Sequence, residues 1–309
     1  MLDVRRMKVL REVAARGSFS AAAEALSFTQ SAVSQQVAAL ERETGAKLVE
    51  RGTRGIKLTD AGEALVAHAD IVLARLDDAE QELAAIAGLQ GGRLRLATFQ
   101  SAGATLVPRA MGVFHERHPK VELKMIEAEP EDSIPRMKDG EIDIALTYDY
   151  EAIPEPADQE LERVHLVEDR MDLVIPADHP LAKRKRPKLA DFADEPWIMS
   201  YLGSTCQQTM VLACRSAGFE PRIAFETDEN TAVQAFVAAG MGVALMPRLA
   251  LTAVNPGTVV REVTPSSQRR IWATRLVEGY RSPASEAMVQ ILQDVAEEFR
   301  ETAALAAVS

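Results

Sequence analysis

The apolar positions follow three spacings in turn along the chain. Met7, Leu10 and Val13 share one face of a helix that the pattern ends near Gly17. Ser20 can cap a second, short helix, AAAEAL, whose alanines permit close packing. Thr29 can cap a third, QSAVSQQVAALERETG, which stops at Gly45. Within it Val33, Val37 and Leu40 recur at i, i+4 and i+7 and are expected to face a core. Only a few residues separate helices two and three, the spacing of a helix-turn-helix. KLVERGTRGIKLT then sets two short runs either side of Gly52-Thr53-Arg54-Gly55, which predicts a β-hairpin with a basic tip, a wing.

From Asp60 to Gly88 there is no proline, and glycine stands only near the ends, so a long helix is expected. Leu65, Ala69, Val72, Leu76, Ala79, Leu83 and Ile86 alternate in steps of four and three, a heptad seam suited to a second copy of the helix. The other reading of the same spacing is a helix lying on its own domain. GLQGG, Gly88–Gly92, reads as a hinge.

Beyond the hinge, strand and helix patterns alternate. RLRLATF, VELKMI and IDIALTY are strands, with helices over residues 105–118 and 132–139 between them, a mostly parallel α/β unit. After the loop EAIPEPADQE a second set follows. It comprises MDLVIP, WIMS, a helix over 204–217, IAFET, a helix over 230–239 and VALMP. RIWATR and a helix after Pro283 close the chain.

These patterns divide 309 residues into a winged helix-turn-helix at 1–59, a linker helix at 60–88 and an α/β domain at 89–309. The last divides into subdomain I, about 92–163 with 270–309, and subdomain II, about 164–269. Charge sharpens the division. Residues 1–60 carry ten Lys/Arg against seven Asp/Glu, a net of +3, which leaves −14 of the total −11 for the rest. Cys206 and Cys214 read as a reduced pair without zinc-site spacing. The first twenty residues form an amphipathic helix rather than a signal peptide, and no apolar run reaches a membrane span; a cytoplasmic protein without membrane contact is expected.

REVAARGSFSAAAEALSFTQSAVSQQVAALERETGAKLVER carries an ordered series: a Gly-Ser-Phe turn, an Ala-Ala pair, TQSAVSQQ and a Leu-Glu helix end. LTDAG, Leu58–Gly62, follows. Over residues 1–88 the chain closely resembles LysR-type transcriptional regulators, and AAGMGVALMP, Ala238–Pro247, extends the likeness into the second half. Val49 departs from the family's usual Phe at the wing root. The resemblance implies an effector domain like periplasmic binding proteins, with ligand held between two subdomains. It further implies a homotetramer on double-stranded promoter DNA, with RNA polymerase as a further candidate partner. No cofactor is implied beyond a small-molecule effector.

With Val33, Val37 and Leu40 turned inward, Gln30, Ser31, Ser34 and Gln35 lie on the outer side, where Gln can pair with adenine and Ser with bases or phosphate. Thr29 and the helix N-terminus suit a phosphate, and Arg54 at the wing tip suits phosphate or a narrow minor groove. In the α/β domain, ligands collect at the C-terminal ends of strands. That rule selects Gln100, Ser101, Thr147, Tyr201, Ser204, Thr205 and Thr227, and helix N-termini with nearby hydroxyls favour an anion such as a small organic acid. Each of these hydroxyls could equally be a simple cap.

The basic run Lys183–Lys188 reads as a solvated loop, and His115 with His118 as a helix end without a third metal ligand. Phe99, Phe114 and Trp197 read as core. No nucleophile or nucleotide motif is present, so no enzyme is expected. The rival reading is a small-molecule binding protein whose N-terminal helices mediate association only, without a DNA role.

Overall fold

A computed structural model describes residues 2–52, 55–86, 91–153, 157–278 and 281–308. The wing tip Thr53–Arg54, most of the expected hinge and the side chain of Ile86 lie outside what is described. The chain falls into two compact units, residues 1–92 with 134–143, and residues 93–133 with 144–309.

In the first unit α1 (Val4–Arg16), α2 (Phe19–Ala25) and α3 (Gln30–Thr44) surround one core. It contains Met7, Leu10, Val13, Ala22, Ala23, Val33, Val37 and Leu40, all buried. Ser18 rather than Ser20 precedes α2, so that helix starts earlier and lays Phe19 against the core. Ser27 makes the tight turn into α3 in the left-handed conformation, at φ 56°. The Thr29 hydroxyl accepts the Ala32 N–H at 3.2 Å, as an N-cap does. At the other end Gly45 takes φ 69°, where a side chain would be strained, and α3 stops.

The wing strands β1 (Val49–Gly52) and β2 (Gly55–Leu58) pair antiparallel, Val49 opposite Leu58 and Gly52 opposite Gly55. Val49 packs against the head core in spite of its smaller size. The long helix α4 (Asp60–Ile86) starts immediately after the wing.

The expected seam does not run the full length of α4. Leu65 and Ala69 are buried in the head's own core rather than free for a partner. The heptad spacing served two purposes: its first two members hold α4 to the head. The remainder stays open, with Val72 38%, Leu76 47% and Leu83 66% exposed, and Ala79 exposed beside them.

The second unit begins with β3 (Arg93–Thr98), α5 (Gln100–Gly103), α6 (Leu106–Arg117), β4 (Glu122–Glu127) and the start of α7 (Pro130–Lys138), whose residues from 134 on fall in the first unit, and resumes at β5 (Ile144–Tyr150). The long β6 (Leu161–Pro176) leads to β7 (Pro196–Met199), α8 (Thr205–Ser216), β8 (Arg222–Glu226) and α9 (Asn230–Ala238). The chain ends through β9 (Ala244–Pro247), β10 (Thr258–Arg261), β11 (Gln268–Leu276) and α10 (Pro283–Val308). A seven-stranded sheet runs β10-β6-β11-β5-β3-β4 with β9 also on β6, while β7 and β8 pair separately.

The parallel expectation holds for β3 with β4 and β5, and for β7 with β8. It fails at β6 and β11, which are antiparallel to each other because the last strand re-enters the first subdomain from the second. β6 pairs with β11 as far as Arg170 and with β9 from Met171 onward. The subdomains therefore meet near 170 and 268 rather than 163 and 270. The first half of β6 escapes the sequence pattern for a local reason. A bulge opposite Ile271 and Trp272 buries Leu166 and Val167 in succession and breaks the period of two. Each subdomain has its own core, one around Phe114, Ile144 and Leu292, the other around Trp197, Phe192 and Leu173.

Candidate functional site

On α3 the apolar face is fully committed to the core, and Gln30, Ser31, Ser34, Gln35 and Ala38 are all exposed on the other side. Thr29 and Ser31 share a hydroxyl–hydroxyl bond of 3.1 Å, and the Ser20 hydroxyl reaches Gln30 at 3.4 Å. At the far end Glu41 ties the helix to the wing. Its carboxylate accepts the Leu48 N–H at 3.0 Å and the Lys47 ammonium at 3.2 Å. Burial pushes this carboxyl up, but the Leu48 and Val49 N–H groups and Lys47 outweigh that, leaving it below the ordinary carboxylate range. Glu41→Ala is therefore expected to loosen the wing and destabilise the head by about 1–3 kcal/mol. Far-UV dichroism of the denaturation curve checks this, and an unchanged curve would remove Glu41 from that role.

In the second unit a cavity of about 640 Å³ opens between the two subdomains. Five of the seven expected effector residues line it: Gln100, Ser101, Tyr201, Ser204 and Thr227. Thr147 does not. Its hydroxyl bonds Thr274 on β11 at 2.6 Å, and side chains alternate along a strand, so the next residue, Tyr148, faces the cavity instead. Thr205 also misses the lining, and its hydroxyl donates to Glu131 at 3.3 Å. Gln100 bridges the subdomains. Its amide donates to Glu229 at 2.7 Å and accepts from the Asn230 amide at 2.6 Å.

Most of the hydroxyls are already engaged. Ser204 caps α8 by accepting the Gln207 N–H at 3.1 Å and also shares a 2.8 Å bond with Ser200. Thr227 accepts the Glu229 N–H at 3.2 Å. Ser101 accepts from Arg269 at 2.6 Å.

Arg269 went unread in the sequence. Its guanidinium lies buried at the cavity floor, over the rings of Phe99 and Tyr148 at 4.9 and 5.0 Å. It donates to Asp169 through Nε at 3.0 Å and Nη2 at 2.9 Å, and the Leu249 N–H completes that carboxylate at 2.9 Å. The sequence also did not yield the acidic rim after β4 and β8, although the run EAEPED and the triplet Thr227-Asp228-Glu229 were there to be read. Among the described residues no three His, Cys, Asp or Glu side chains converge as metal ligands. The basic loop behaves as expected, with Arg184 on Asp191 and Arg186 on Glu262.

The family model of the LysR substrate binding domain matches residues 87–297, and that of the bacterial regulatory helix-turn-helix protein, lysR family, matches residues 4–63. The chain belongs to the LysR family. It is similar to the probable HTH-type transcriptional regulator LrrA of Synechococcus elongatus, at 30% identity over 302 residues, 97% of this chain and 100% of that protein. The HTH-type transcriptional regulator CbbR of Rhodospirillum rubrum is 29% identical over 296 residues, 95% of this chain and 96% of the relative. In fold it resembles the solved structure of CbnR, a LysR family transcriptional regulator. The TM-score is 0.72 at 21% identity, over 96% of this chain and 99% of that one. This LysR-family chain is a DNA-binding transcriptional regulator with an effector-binding domain, and its cavity lies within the segment matched by the substrate-binding model.

Proposed function

We propose that α3 enters a major groove and reads bases with Gln30, Ser31, Ser34 and Gln35, while Thr29 and the helix N-terminus hold a phosphate. The observation that carries this reading is the division of α3: Val33, Val37 and Leu40 are buried, and the glutamine-and-serine side is exposed along its length. Two copies join through Val72, Leu76, Ala79 and Leu83, and dimers pair as tetramers. The effector enters the cavity of the second unit and shifts the population of cleft geometries. That shift changes how the two heads meet the operator or RNA polymerase. The protein acts in the cytoplasm and catalyses nothing; among the described residues no helix is long and apolar enough to cross a membrane.

Footprinting on the DNA upstream of its own gene tests the reading. Gln35→Ala is expected to weaken discrimination against a wrong base by roughly ten- to a hundredfold. The salt dependence, set by phosphate contacts, stays the same. Equal binding of specific and random DNA by both proteins would show that α3 does not read sequence.

A further inference from the structure

Helix N-termini pointed the sequence reading toward an anionic effector, but the charge on the cavity wall has the opposite sign. Six carboxylates line it: Glu127, Glu129, Glu131, Asp132, Asp228 and Glu229. Arg269 is the cation of that lining, and Asp169 already neutralises it. Among the described residues none of the six carboxylates joins an ion pair. Four of them are held by neutral groups: Glu129 by the Tyr148 hydroxyl at 2.8 Å, Glu131 by Thr205, Asp228 by the Ser200 hydroxyl and Glu229 by Gln100. Ser101, Ser204 and Thr227 accept N–H groups through their hydroxyl oxygens, which does not discriminate between ligand charges, so the choice falls to the carboxylates.

We infer that the cavity takes a small organic cation, an effector bearing a primary ammonium or guanidinium group. This rests on the reading of the cavity as the effector site. The site itself stands on its volume of about 640 Å³ and its place in the substrate-binding domain, and the carboxylates select the class of ligand. A bare divalent ion is not the match, because no three of these side chains converge on one point among the described residues. An ammonium would sit against Glu129, with Glu131 and Asp228 attracting it from further off, while the half-buried Tyr148 ring flanks its carbon chain. Burial pushes the Glu129 carboxyl above its ordinary range, and repulsion from Glu131 and Asp228 adds to this against the pull of Tyr148 and Arg269. A bound cation relieves that repulsion; a bound anion adds to it.

Calorimetry on the full chain tests the inference with agmatine and putrescine against glutarate and benzoate. The two amines are expected to bind and to weaken as salt is raised, and the two acids to give no binding heat. Glu129→Gln and Glu131→Gln, which keep shape and remove charge, should each weaken agmatine about tenfold or more. Binding of glutarate or benzoate without the amines would overturn the inference. So would silence from both amines, or agmatine affinity unchanged in both variants. DNA binding without any effector is measured alongside. Its failure would count against the regulator reading and leave the calorimetric result standing, whereas failure of the amines alone would leave that reading intact.

Discussion

Arg269→Ala is expected to destabilise the effector domain by about 3–5 kcal/mol at neutral pH, because it leaves the Asp169 carboxylate buried without its partner. Asp169 is 2% exposed, and burial already pushes its carboxyl up against the pull of Arg269 and the Leu249 N–H. Without the guanidinium only the Leu249 N–H opposes that push. The folded form then holds its proton to a higher pH than the unfolded chain does. Stability of the variant is accordingly fullest below the ordinary carboxylate range and is lost as pH rises through the raised value. The deficit against the parent should thus be smaller at pH 5 than at pH 8. Tryptophan fluorescence reports this domain selectively, since both tryptophans, Trp197 and Trp272, lie in it. A variant as stable as the parent at pH 8 would mean that the pair does not hold the cavity floor.

Gly62→Ala should disable the other unit. A Cβ at Gly62 would land on the Leu48 carbonyl oxygen, which is backbone and cannot swing aside. That oxygen already accepts the Thr59 N–H at 3.1 Å, and the Thr59 hydroxyl caps the start of α4 by accepting the Gly62 N–H at 3.1 Å. Strand β1 or helix α4 must move, at a cost on the order of 3 kcal/mol. DNA affinity should fall at least tenfold while the tryptophan transition stays in place. Parental DNA affinity in this variant would show that the junction can relax.

The head was legible because short-range rules govern it. Caps at Thr29 and Gly45, an i, i+4, i+7 stripe and a hairpin around Gly52–Gly55 all act within a few residues. Where one pattern serves two purposes, the sequence misleads. Leu65 and Ala69 obey the heptad spacing, yet helix packing inside the head uses the same spacing. Thr147 was selected for its hydroxyl, and the alternation of β5 turns Tyr148 to the cavity instead. The Arg269–Asp169 pair joins residues one hundred positions apart, and no local pattern marks either partner. The carboxylates after β4 were legible, but the rule that helix N-termini favour anions drew attention to the hydroxyls.

The burial of Leu65 and Ala69 also bears on operator geometry. It splices the head to its stalk, so α3 cannot swivel independently of α4. Over 27 residues the stalk spans roughly 40 Å. A pivot of about 10° at one end sweeps the other by about 7 Å, close to two base-pair steps. In the proposed dimer, small rotations between the two stalks are thereby magnified into a choice between half-site spacings.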